Sequence, residues 1–253
     1  MVRLSAVIIT FNEERNIARC IDSLQGVADE IVVVDSFSVD ATPEICRSKG
    51  VHFISHTFEG YIEQKNFALD QASCDHILSL DADEALSDEL RQSILRVKSA
   101  WNEDAYSMNR LTNYCGTWVR HGGWYPDRKV RLFRKNSGRW TGINPHDEFR
   151  LVSGGRQSHI KGDLLHYSYY TIDDHERQID RFSAIGAKAL FEKGVRSNVL
   201  KLMYKPAARF FRNYLLKMGF LDGKTGWIIA RKSTKAVYWK YLRLYQLQKG
   251  KAI

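Results

Sequence analysis

The chain has 253 residues, a net charge of +9, and 44% apolar and 12% aromatic residues. That length holds one large domain with an appendage, and the apolar fraction excludes a disordered chain. No apolar run reaches the roughly eighteen residues that a bilayer-crossing helix needs, and the four cysteines form no C-x-x-C pair, which disfavours a zinc site and suggests free thiols in a reducing compartment.

The charge is unevenly spread. Residues 196–253 hold fourteen Lys/Arg against one acid, Asp222, a net of +13, while residues 1–195 hold 24 basic and 28 acidic residues, a net of −4. A near-neutral body of 1–195 with a basic, aromatic-rich extension of 196–253 points to an anionic partner for the extension.

In chain order, residues 4–10 read as a buried first strand. The apolar stretch 4–11 is too short for a signal peptide and is soon broken by Asn12-Glu13-Glu14. A helix follows, with Ile17, Cys20, Ile21 and Leu24 at helical spacing and Gly26 as its stop. Residues 30–35 form a second strand ending in Asp35. A loop then leads to a helix with Pro43 in its first turn, a third strand at 51–54, and a helix over 64–72. A fourth strand over 76–80 runs directly into Asp81-Ala82-Asp83-Glu84. Four strands alternating with three helices imply a parallel sheet, so the class is α/β. Beyond a strand at 104–110, residues 113–149 are crowded with Gly, Trp, Arg and His and read as loops that complete a site. Residues 164–167 close this region. A capping box at 171–174 opens a helix ending at Gly194, and helices near 198–218 and 224–248 flank a Gly219–Gly223 break.

Asp81 and Asp83 alternate in an extended segment at the carboxyl edge of the sheet, where open α/β folds bind ligands. Two hard oxygen donors suit Mg²⁺ or Mn²⁺, and through it a diphosphate. The competing reading is a helix N-terminus before Leu86, Leu90 and Ile94. Asp35 ends its strand at the same edge. Asp173-Asp174-His175-Glu176 resembles a metal cluster but reads as acids at a helix start. His52, His56 and His166 sit among apolar residues and read as packed. Trp124 and Tyr125 either stack on a sugar ring or pack.

The ordered set Ile9-Thr10-Phe11-Asn12-Glu13-Glu14, Val34-Asp35-Ser36 with Asp40 and Thr42, Glu63-Gln64-Lys65-Asn66-Phe67-Ala68 and Leu80-Asp81-Ala82-Asp83-Glu84 resembles glycosyltransferase family 2. With Trp124-Tyr125-Pro126-Asp127, Arg131-Leu132-Phe133-Arg134 and Gly219-Phe220-Leu221-Asp222-Gly223, it is similar to that family's bacterial lipopolysaccharide-core-type glucosyltransferase branch. The resemblance implies a GT-A nucleotide-diphospho-sugar fold, a divalent cation and an inverting transfer, giving a metal-dependent hexosyltransferase that uses a UDP-sugar, UDP-glucose first. The implied acceptor is a glycolipid or lipopolysaccharide-core saccharide. The expected location is the cytoplasmic face of the cell membrane, with the enzyme held peripherally on an anionic surface and no nucleic-acid partner. Thr10, Asn12, Glu14, Asp35, Lys65, Asp81 and Arg131 would serve the nucleotide and its phosphates, and Asp83, Asp81 and His146 the metal. The alternative for Asp81 is a contact with the ribose or uracil, which leaves Asp83 as the main metal ligand. Where the branch shows Gly-x-x-His-Glu, this chain has Gly142-Ile143-Asn144-Pro145-His146-Asp147-Glu148, so the general base is either Asp147 or Glu148. Transfer onto polyprenyl phosphate is the second enzymatic reading, and a non-catalytic basic binding module the third.

Overall fold

β1 (Leu4–Thr10) is buried along its whole length. Leu4, Ala6 and Ile8 pack on one side with Ile17 and Ile21 of α1 (Ile17–Ser23). Val7 and Ile9 pack on the other with Ala68 and Leu69 of α3 (Tyr61–Gln71). A strand covered on both faces reads as a continuous apolar run, which is why no alternation shows in the sequence. This structure is a computed structural model that describes residues 1–143 and 146–251, with the side chains of Ile143 and His146 outside the description.

The chain divides into two compact units, Met1–Arg110 with Asp127–Tyr167 and Leu111–Pro126 with Ser168–Ile253. The compositional boundary at 195 falls at none of the three crossings between them, and α5 (Ile172–Glu192) belongs to the second unit.

In the first unit, β1 pairs in parallel with β2 (Glu30–Asp35) and β4 (His76–Asp81), and β2 with β3 (His52–Ser55). α2 (Thr42–Ser48) and α4 (Asp88–Ser99) are its other helices. Across β4 the sheet turns antiparallel through β8 (Asp127–Arg134), β6 (Ala105–Tyr114), β11 (Gln157–Tyr169) and β5 (Glu84–Leu86), in the order β3-β2-β1-β4-β8-β6-β11-β5. The sheet is therefore mixed.

Residues 113–149 depart from the expected loops. They supply β7 (Thr117–Val119), which pairs with β6, then β8, β9 (Gly138–Ile143) and β10 (His146–Leu151). The last two form a separate antiparallel hairpin. The Gly- and Trp-rich composition hid these strands because Trp140 and Phe149 are buried by contacts distant in sequence: Phe149 stacks on Phe133 of β8 at 3.6 Å.

In the second unit, α5 and α6 (Val199–Phe211) pack on α7 (Gly223–Gln248). The helix expected over 198–218 ends at Phe211, passes through a π-helical turn at Arg212–Leu216, and reverses at Met218, which adopts φ 52°. The glycine motif is architectural here. A Cβ on Gly226 would lie 1.8 Å from the Gly219 carbonyl oxygen. Asp222 accepts from the backbone N–H of His121 at 2.8 Å and pairs with its Nδ1 at 2.8 Å. Trp124 packs against Tyr114, Tyr169 and His175, the second of the two readings offered for it.

Candidate active site

Strand register gathers the acids of the first unit. Thr10 is the partner of Asp35, and Ile9 of Asp81, so three parallel strands end on one edge. β8 runs the opposite way, and its pairing of Leu78 with Leu132 brings Arg131 beside Asp81. Arg134 pairs with His76 at the far end of β4, which removes it from the site. The helix-start reading of Asp83 and Glu84 fails for a local reason: β5 intervenes, and Ser87 caps α4 by accepting from the Leu90 N–H.

The nucleotide-side residues form a stitched corner. Asp35 is buried and accepts from the Ser38 N–H at 2.8 Å and its hydroxyl at 2.5 Å. Asn12 accepts from the Val39 N–H at 2.9 Å, and Glu14 from the Ala41 N–H at 3.2 Å. Asn12 and Glu14 thus tie the first β–α loop to the second. The Thr10 hydroxyl is buried without a partner among the described residues, a polar atom that such a site leaves for a ligand.

Beside this corner is an ion network. Arg131, 3% exposed, donates to Asp81 and to the fully buried Glu84, both at 2.8 Å. Lys65, on the buried side of α3, lies 3.0 Å from Asp81 and 2.7 Å from Asp147. Both cations stand over the Trp140 ring, at 4.6 Å for Lys65 and 5.4 Å for Arg131. Burial opposes the Asp81 charge, but Arg131 and Lys65 outweigh it and hold the carboxyl well below the usual range. For Arg131, burial likewise works against the charge and the two acids retain it. Lys65, Asp81, Arg131, Trp140, Asp147 and Glu148 are among the residues lining a cleft of about 570 Å³. Its polar lining and size suit a saccharide.

Alternation on β10 separates the two base candidates. Asp147 and Phe149 share one face and Glu148 and Arg150 the other. Packing of Phe149 into the core therefore turns Asp147 toward Lys65, while Glu148, exposed, pairs with Arg150 at 2.5 Å. The backbone at His146 is described, but its side chain, expected at the metal, lies outside the described residues.

His166 departs from its expected packed role. The antiparallel pairing of β11 with β5 sets His166 opposite Glu84 and brings its Nε2 to 3.1 Å from the Asp83 carboxylate. Burial is the largest influence on Asp83 and raises its pKa, but His166 and Arg110 together pull it the other way, and the carboxyl ends below its usual range. His56 is packed, stacked on Phe67, whereas His52 is exposed. Asp174 belongs to a capping box with Thr171, in keeping with a helix start. Glu13 escaped notice in the sequence. Burial, with Asp83 and Asp40 nearby, pushes its carboxyl up to about 7 against an Asn16 hydrogen bond and His166. The local sequence signals neither His166 nor Glu84, because strand pairing creates both contacts.

Asp83 and His166 offer an oxygen and an imidazole nitrogen 3.1 Å apart, and Asp81 stands beside them with its Oδ1 3.0 Å from the Lys65 ammonium and its Oδ2 2.8 Å from Arg131. This donor set fits Mn²⁺, which accepts carboxylate and imidazole, and fits Mg²⁺ through the carboxylates alone. Among the described residues no three His, Cys, Asp or Glu side chains converge as a complete cation cage. A two-ligand site leaves positions for phosphate oxygens.

A mixed α/β sheet with acids at its carboxyl edge and a polar cleft beside them defines a GT-A-like transferase domain. Residues 5–164 match the family model described as glycosyl transferase family 2, and the chain belongs to that family. It is a glycosyltransferase. Over 251 residues it is 30% identical to the lipopolysaccharide core biosynthesis glycosyltransferase LpsC of Rhizobium meliloti, covering 94% of this chain and 93% of that one. It is 29% identical to an uncharacterised glycosyltransferase of Rickettsia typhi, covering 98% and 87%. Among solved structures, glucosyl-3-phosphoglycerate synthase of Mycobacterium tuberculosis with Mn²⁺, UDP and product aligns with TM-score 0.37 at 22% identity. That alignment spans 44% of each chain, less than half the length of the solved protein.

Proposed function

We propose that this enzyme transfers a hexose with inversion, glucose from UDP-glucose, onto a lipopolysaccharide-core or other lipid-linked saccharide at the cytoplasmic membrane surface. The observation that carries the reading is that Asp35 and Asp81 end the strands flanking β1 on one sheet edge, with Asp81 and Asp147 lining the cleft there and sharing Lys65. Full-length similarity to LpsC supports the acceptor class.

Asp83 and His166, with Asp81 alongside, would hold Mn²⁺ or Mg²⁺, which when bound neutralises the leaving diphosphate. Thr10, Asn12, Glu14 and Asp35 border the space for the nucleoside. Asp147 is the proposed general base: one of its oxygens is oriented by Lys65, leaving the other to take the proton of the attacking hydroxyl. The proton moves to the carboxylate as the new glycosidic oxygen bond forms and the diphosphate departs. Lys65 thereby acts on both Asp147 and Asp81 and sets their separation. Arg131 orients Asp81 from beneath, a different role from the direct phosphate contact expected from its sequence.

The test is a screen of UDP-sugars for hydrolysis with Mn²⁺ or Mg²⁺, followed by mass spectrometry of a core-glycolipid acceptor. Turnover of UDP-glucose that needs the cation supports the reading. Absence of any metal-dependent UDP binding would sink it. Transfer onto polyprenyl phosphate predicts instead a product that releases free sugar in mild acid.

A further inference from the structure

A groove of about 240 Å³ between α6 and α7 is lined by Lys205, Arg209, Arg212, Lys240, Val237 and Tyr241. Four of these carry positive charge and none is acidic. Among the described residues none of the four has an ion-pair partner. Four acids of this unit are engaged elsewhere: Asp174 by Arg177, Glu176 by Lys232 and Lys235, Asp180 by Arg243, and Asp222 by His121. Burial, with Arg209 and Lys205 close by, pushes the Lys240 ammonium below its ordinary value. Half-buried like charges repel, and an anion entering the groove relieves that repulsion. Guanidinium forks and ammonium groups together suit phosphate oxygens.

Next to the cationic face, α6 turns Leu200, Met203, Tyr204 and Phe211 outward, with Leu200 71% and Met203 69% exposed. Their spacing follows helical periodicity, while Lys201, Lys205, Arg209 and Arg212 occupy the flank. An apolar face bordered by unpaired cations is the pattern of a helix lying in a bilayer interface.

We propose that the α6–α7 groove binds the phosphate of a lipid headgroup and that the exposed apolar face of α6 enters the adjoining acyl region of an anionic bilayer. This deepens the membrane-surface reading above and does not depend on the transfer chemistry.

Sedimentation of the full-length protein with phosphatidylcholine vesicles, alone or mixed with phosphatidylglycerol, tests the proposal. Binding should require the anionic lipid and fall about a hundredfold in the Lys205→Gln/Arg209→Gln/Lys240→Gln variant. The Lys205→Arg/Lys240→Arg variant should retain it, and Leu200→Ser/Met203→Ser should weaken it while keeping the helical circular-dichroism signal. UDP-sugar hydrolysis without vesicles, read on the same variants, should be unchanged, which separates failure here from failure of the transferase reading. Equal binding to neutral vesicles, undiminished binding by the triple-Gln variant, or a preference for soluble pyrophosphate or single-stranded RNA over vesicles would each overturn it.

Discussion

The cleft of the first unit and the α6–α7 groove of the second treat charge in opposite ways. In the first, cations at the cleft have nearby acids: Arg131 has Asp81 and Glu84, Lys65 has Asp81 and Asp147, and Arg110 has Asp127 at 2.8 Å. In the second, Lys205, Arg209, Arg212 and Lys240 share a groove with no acid. Pairing fixes side chains in place, as chemistry requires, since a base or metal ligand displaced by an ångström loses much of its effect. Unpaired cations leave a deficit that an outside anion can fill.

That contrast can be broken most severely at Asp147. Asp147→Asn should lower kcat by about 10²–10⁴-fold with donor binding retained, whereas Glu148→Gln should change turnover little; steady-state kinetics on the pair decide. An inactive Glu148→Gln beside an active Asp147→Asn would reverse the assignment. Next in size, Arg131→Ala strands Glu84 as a buried, poorly compensated charge and should cost about 3–5 kcal/mol in urea unfolding. Removing Lys205 should cost far less stability, because it has no ion pair to lose.

Smaller effects sharpen the same comparison. His166→Ala should reduce Mn²⁺-dependent UDP binding more than Mg²⁺-dependent binding, read by calorimetry, if the imidazole is a ligand. Ser87→Ala should cost about 1 kcal/mol through the lost α4 cap. Glu13 offers a pH test. Its folded pKa, raised to about 7 from an ordinary 4.5, means the native state binds the proton more tightly than the unfolded chain. Its contribution is fully present below pH 4.5 and is lost as pH rises through 7. Without metal, Glu13→Gln should therefore raise Tm relative to the parent protein above pH 7 and leave it unchanged in acid.

Much of the secondary structure was legible because its signals are local. Apolar runs ending in Asp35 and Asp81, the Pro43 helix start and the Thr171 capping box each lie within a few residues, and the structure contains the corresponding elements. Residues 113–149 were harder, since their strands are specified by partners far along the chain. Trp124, one of the two aromatics that seemed suited to ligand stacking, packs instead, whereas Trp140, which carried no such expectation, supports the cleft cations.

From its order of residues alone, the chain determined its alternating strands and helices, the acids at their carboxyl ends, and a basic extension with one acid. Those follow from periodicity and composition, which act over one or two turns of backbone. Tertiary structure alone decided that His166 meets Asp83, that Glu84 pairs with Arg131, and that Asp147 meets the buried Lys65 while Glu148 pairs with the exposed Arg150. Each depends on strand register, and a shift of one residue reverses the face a side chain occupies.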